Sequence, residues 1–176
     1  MKTTISLGKP ITAPVLIPVK HRATPMCINH PFMINGECHR VTAISFGTPH
    51  GAVFVSDVDT IDVAAIGEAL GSHALFPLGA SIVFVQVTGR NSLKARLWQQ
   101  GEGEINFTEE AICVAGTAAM MCQKILFSEV DIDMGGEIFR VEWNRGGGEV
   151  CVTGDRESFL SGSKADQSYS REIGAA

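Results

Sequence analysis

At 176 residues, 45% hydrophobic and 19% charged, the chain suits one globular domain with a sizeable buried core. A net charge of −5, with fourteen scattered Lys and Arg, offers no basic stripe to a phosphate backbone, so no nucleic-acid partner is expected. The longest apolar run, Ala111 to Cys122, is broken by Gly116 and Thr117 and falls short of the roughly 20 residues of a bilayer span, so no membrane role is expected either.

The N-terminal stretch MKTTISLGKP has no apolar core of a secretory signal. Five widely spaced cysteines include no C-x-x-C pair, which fits a reduced, cytoplasmic setting. Residues 3–19 read as short apolar segments broken by Gly8-Lys9-Pro10, Pro14 and Pro18, and residues 20–31 as a polar loop. Cys27 and Cys38 flank the hairpin that follows, which leaves a disulfide between them as a second option. His21, His30 and His39 lie near these cysteines, but the spacing matches no familiar zinc pattern, and no metal is expected.

Phe32-Met33-Ile34, Asn35-Gly36 and His39–Ile44 form a hairpin pattern, with Asn-Gly supplying positive φ at the turn. Ser45–Pro49 is a break and Gly51–Val55 a short strand. A helix is expected over Asp62–Ser72, capped by Asp59 or Thr60, with Val63, Ile66 and Leu70 on one face. His73 then lies near that helix's C-terminal dipole.

Ser81–Thr88 is β-branched and aromatic, and Ser92–Gln99 alternates apolar with polar residues; both predict strands. A central helix is predicted over 109–126, started by Thr108 as cap with Glu109 and Glu110 in the first turn. Its residues Ala111, Ile112, Val114, Ala115, Ala118, Ala119, Met120, Met121, Ile125 and Leu126 cover most of the circumference. A helix apolar all round must be buried on all sides. Strands Val130–Met134, Glu137–Trp143 and Glu149–Thr153 follow, joined by turns at Gly135-Gly136 and Arg145–Gly148. The implied class is α+β: a curled, mostly antiparallel sheet wrapped around one buried central helix. Residues 1–162 make one unit, and 163–176 a polar, frayed tail.

Five stretches, in order, carry a family resemblance: RVTAISFGTPHGAVFVSDV (40–58), HALFP (73–77), IVFVQV (82–87), RLWQQGEGE (96–104) and GGEIFRVEWNRGGGEVCVTGDRESFLSG (135–162). Together they resemble the C-terminal half of diaminopimelate epimerase and its relatives, the PLP-independent amino-acid racemases and epimerases. The resemblance implies a cofactor-free isomerase in which two thiols face one another across a cleft between two similar half-domains. This chain then corresponds to one half-domain. The substrate implied is a small amino acid or related acid. The partner implied is a second copy in a homodimer, or a separately encoded complementary half.

The site residues implied depart from the family pattern. Gly-Asn-Pro-His is Gly47-Thr48-Pro49-His50, so the histidine stands and an asparagine has become Thr48. A substrate-contacting asparagine aligns with Ser81. The leading Glu and Arg of the glycine turn align with Gln99 and Gln100, while Gly101, Gly103 and Glu104 match. The Ala-Cys-Gly-Thr-Gly turn aligns with Val114–Ala118, with Ala115 at the thiol and Gly116 and Thr117 as the anion-binding amides. That alignment needs about seven extra residues after Glu104.

Candidate catalytic residues are therefore His50, Glu104 and, as a displaced thiol, Cys113. Candidate substrate contacts are Thr48, Ser81, Gln99, Gln100, Gly116 and Thr117. Three readings follow: an isomerase with altered chemistry through His50 and Glu104; a non-catalytic binding or regulatory subunit; or the remnant of a degraded gene. The first requires a helix break before Gly116, where amides freed from helical bonding can meet an anion. The second predicts a continuous helix from Thr108 and a covered or occupied cleft.

Overall fold

The computed structural model describes residues 1–20 and 24–161. Among these, the elements in chain order are β1 (Lys2–Ser6), β2 (His30–Ile34), β3 (Glu37–Ser45), β4 (Pro49–Phe54), α1 (Val63–Gly71), β5 (Ser81–Gly89), β6 (Ser92–Gln99), β7 (Gly103–Ile105), α2 (Glu109–Met121), β8 (Glu129–Met134), β9 (Glu137–Trp143), β10 (Val150–Asp155) and α3 (Arg156–Ser161). A single sheet runs β1-β10-β9-β8-β6-β5-β4-β3-β2, with β7 paired to β6 off that path. Its pairs are antiparallel apart from β4–β5 and β6–β8. A parallel pair needs a crossover, and each of these carries a helix: α1 for the first, α2 for the second.

The sheet curls until its two halves meet. The Leu7 N–H donates to Val150 O (2.9 Å) and the Val150 N–H to Gly8 O (2.8 Å), extending the pairing of β1 with β10. Three residues on, Ile11 exchanges bonds of 2.8 and 2.9 Å with Ser45 at the end of β3. One segment thus joins both sides of the curl, with α2 inside. Residues Ala111–Met120 of α2 are buried without a gap, as an all-apolar helix requires. The helix packs on inward-facing residues of the sheet such as Ala52, Val83, Val85, Ala95, Leu97, Val130 and Val141. A second core lies on the outer face, where Val63 and Leu70 of α1 meet Phe76, Ile82 and Phe84.

The hairpin turn is as expected: Asn35 and Gly36 have φ of 49° and 81°, the left-handed pair that a two-residue hairpin demands. Other expectations are corrected. The cap of α1 is Asp62, whose side chain accepts from the Ala65 N–H at 3.1 Å. Asp59 instead pairs with Lys94 (2.8 Å), and the Thr60 hydroxyl donates to Asp57 O.

Helix α2 stops at Met121 rather than at residue 126. Gln123 turns left-handed (φ 58°), and the Lys124 and Ile125 amides return to Ala119 O. Leu126 is consequently off the helix and 76% exposed. Strand β1, the short β7 and helix α3 were not expected from the pattern. All five cysteines are unpaired, with Cys27 buried ahead of β2 and Cys38 exposed on β3. His21 and the tail from 163 onward lie outside the described residues.

Candidate active site

Strand alternation gathers a polar row inside the curl. Ala52, Val83, Val85, Ala95 and Leu97 face α2, so His50, Ser81 and Gln99, each an even number of residues away on β4, β5 and β6, face the same side. The three strands are neighbours, with His50 in register with Ser81. Gln99 follows the Ile82–Trp98 pair at the same end of β6.

His50 is 1% exposed. Its Nδ1 lies 2.9 Å from Thr48 O, and a carbonyl only accepts, so Nδ1 carries the proton and Nε2 the lone pair. That Nε2 is buried and has no partner among the described residues, and the same is true of Gln99 Oε1. Desolvation lowers the His50 pKa below the ordinary imidazole value; the Thr48 carbonyl and the nearby Glu110 charge oppose the shift without cancelling it. The Ser81 hydroxyl accepts from the Gln100 N–H (3.0 Å), and Gln100 Nε2 donates to Leu78 O (3.1 Å), which ties the end of β6 to the loop before β5.

The start of α2 closes this end of the curl. Thr108 is extended (φ −133°, ψ 159°), and its hydroxyl accepts from the Ala111 N–H at 3.0 Å. Glu110, in the first turn, reaches the β3–β4 connection. Its Oε1 accepts from both the amide and the hydroxyl of Thr48, each at 3.2 Å. The chain's own carboxylate therefore sits on the donors of the Gly47-Thr48 turn, at a helix start that favours negative charge.

No break interrupts α2. Gly116 and Thr117 are two turns inside it, buried, with their amides committed to the helix rather than to a ligand. Gly116 faces the sheet so closely that a Cβ would meet Val141 Cγ1 at 2.8 Å. Thr117 Oγ1 is buried with no partner among the described residues. The alignment that put Val114–Ala118 in an anion-binding turn is thus corrected. Thr108 follows Glu104 after only Ile105, Asn106 and Phe107, and the residues between Thr108 and Gly116 are the first two turns of α2, not a loop before it.

Two further candidates stand apart from the row. Glu104 neighbours Ile105, which faces α2, so its own side chain points to the outer face. There it forms two 2.8 Å bonds with Arg96, whose guanidinium also holds Val58 O at 2.8 Å. His50 and Glu104 lie on opposite faces of the sheet. Cys113 is fully buried in α2, and burial, followed by the neighbouring Cys151, Glu109 and Glu110, pushes its pKa well above the ordinary thiol value. His73 bridges α1 to the hairpin through Met33 O (3.2 Å) and accepts from the Leu75 N–H (3.1 Å). Among the described residues, no group of three His, Cys, Asp or Glu converges as a metal site would.

Sequence reasoning overlooked the reach of Glu110 to Thr48. Two acids after a threonine cap signal a helix start, but nothing local to either residue says that they meet across the fold.

Comparisons with known proteins agree with this architecture. Residues 42–159 match the family model for diaminopimelate epimerase. The chain is 31% identical over 159 residues to the diaminopimelate epimerase of Leptospira biflexa, covering 90% of this chain and 56% of that one. It is 32% identical over 158 residues to that of Pseudomonas entomophila, with the same shares covered. It thus spans about half the length of the curated relatives it matches. Among solved structures, a hydroxyproline epimerase from Agrobacterium vitis superposes with a TM-score of 0.59 at 11% identity, over 87% of this chain and 49% of that one. A probable proline racemase from Agrobacterium radiobacter gives 0.55 at 11% identity, over 87% and 50%. At that identity they speak for the fold alone, and the fold is the one built above from strand alternation and a buried helix. With the matched residues running from β3 into α3 and enclosing the whole polar row, the chain belongs to the diaminopimelate epimerase family.

Proposed function

We propose that this chain is a non-catalytic half-domain of the amino-acid epimerase type, a binding or regulatory subunit that has lost two-thiol stereoinversion. The observation that carries the reading is the Glu110 carboxylate on the Thr48 amide and hydroxyl, 3.2 Å from each. Stereoinversion needs an acid and a base on opposite faces of an α-carbon, with dipoles to hold the developing negative charge. Here the helix start presents a threonine and two glutamates, and a carboxylate of the protein already satisfies the nearby donors. An incoming anion meets like charge. The unit is residues 1–162, acting in the cytoplasm. Its partner is a second half-domain, either another copy of itself or a separately encoded chain, which pseudo-two-fold related halves would accommodate.

One observation favours a second reading, altered proton transfer on a small amino acid or related acid. The His50 Nε2 lone pair is buried, unpartnered and held neutral, the state a general base requires.

Solvent exchange of α-protons, followed by NMR in D2O with a panel of amino acids including diaminopimelate, separates the two; the mass in solution is measured on the same sample. No exchange from a stable dimer supports the non-catalytic half. Exchange that vanishes in His50→Ala supports the second reading and overturns the first.

A further inference from the structure

At the other end of α2 from His50 lies a cavity of about 350 Å³ that the epimerase-type site does not involve. Its walls are largely apolar, with Met26, Ile28, Met121 and Trp143 among the lining residues, and its charged lining residues are Lys9 and Arg145. No acid among the described residues lines it, although the chain as a whole carries a net charge of −5. The volume is within the range of small-molecule sites, where apolar walls supply affinity and a few polar groups fix orientation.

The groups that form it are held in place. The Trp143 indole N–H donates to Gly148 O at 3.2 Å, pinning the ring against the glycine turn. Arg145 spends one terminal nitrogen on Ile125 O (2.6 Å) and Phe127 O (3.1 Å), just beyond the end of α2. These are neutral carbonyls that leave the guanidinium its charge; the acids near Arg145, Glu142 and Glu149, line a neighbouring cavity and not this one. Lys9, exposed at the rim, follows the β1–β10 pairing and precedes the Ile11–Ser45 bridge, so its backbone is fixed at the seam of the curl.

We propose that this cavity binds an amphiphilic monoanion: a small molecule with an apolar body seated against Trp143, Met121, Met26 and Ile28, and a carboxylate-type head between Lys9 and Arg145. Charge complementarity selects the head, because two cations without an acid are answered only by an anion. The apolar walls select a hydrocarbon body over a small polar acid.

Octanoate is the probe, with 1-octanol as a neutral control of equal chain length. Binding is read from the Trp143 indole N–H signal in 1H–15N NMR, with the Trp98 indole as internal reference. Octanoate is expected to shift the Trp143 signal saturably, at about ten-fold lower concentration than octanol, while Trp98 stays still. The exposed Lys9→Glu variant, which removes no side-chain hydrogen bond among the described residues, should weaken octanoate binding by about five-fold or more and leave octanol unchanged. His50→Ala should leave octanoate binding intact. Equal affinity for octanoate and octanol, or no loss in Lys9→Glu, overturns the proposal. So does loss of octanoate binding in a folded His50→Ala, which would assign the ligand to the other end of α2.

Discussion

Two side chains, His50 and Glu110, set the character of the polar end of the curl. His50 is neutral and desolvated, so its folded-state pKa is lowered while in the unfolded chain it returns to about 6.5. Below that value the unfolded state binds the extra proton, and stability therefore falls as pH drops through the unfolded pKa. For one proton the slope is at most about 1.4 kcal/mol per pH unit. Urea unfolding between about pH 6.5 and 5 is expected to show a shallower dependence in His50→Gln, which removes that titration. Glu110 is half-buried and its bonds to Thr48 lie at the surface, so Glu110→Ala should change unfolding free energy by no more than about 1 kcal/mol. The informative readout is the Thr48 amide in NMR. Acetate is expected to move it in Glu110→Ala and not in the wild type, because only the variant leaves its donors free.

At the scale of elements, the start of α2 was legible and its end was not. A threonine cap followed by two glutamates announces the start, and an apolar run without polar relief announces full burial. The stop depends on Gln123 adopting a left-handed turn, which neither propensity nor periodicity signals. The polar row was legible only as separate residues: strand periodicity puts His50, Ser81 and Gln99 inward, but the parallel β4–β5 pairing that aligns two of them is a property of the crossover. The same alternation sends Glu104 outward, and a conserved-looking glycine turn conceals that. Thr108→Ala should cost about 1 kcal/mol through loss of the cap, measured by chemical denaturation. Gly116→Ala should also destabilise. A Cβ there would press on Val141 and Val130 inside the core, at about 1–3 kcal/mol, which outweighs a helix-propensity gain of about 1 kcal/mol. Were Gly116 at an exposed turn, alanine would meet no such neighbours.

Over the whole molecule, the curled sheet, the seam at Ile11–Ser45 and the two crossovers leave Ala111–Met120 of α2 with no route to solvent short of opening the fold. Hydrophobic pattern and strand order in sequence were enough to predict a sheet around a helix. The closing segment was not, because Gly8, Pro10, Pro14 and Pro18 break residues 3–19 into pieces too short to read as pairing strands. The family resemblance led to the right fold and to a misplaced turn, since matching Gly116-Thr117 to a glycine-threonine motif gave residue identity precedence over the helix start at Thr108. Gly116 and Thr117 lie in the buried interior of a continuous helix, and amide hydrogen exchange tests that most directly. Native-state exchange measured by NMR should show the Gly116 and Thr117 amides protected to nearly the same degree as the slowest amides of the central strands, opening only with the molecule as a whole. Exchange at those two amides as fast as in the surface turns, with Ala111 to Cys113 still protected, would mean a break before Gly116. It would restore the anion-binding turn and contradict the non-catalytic reading.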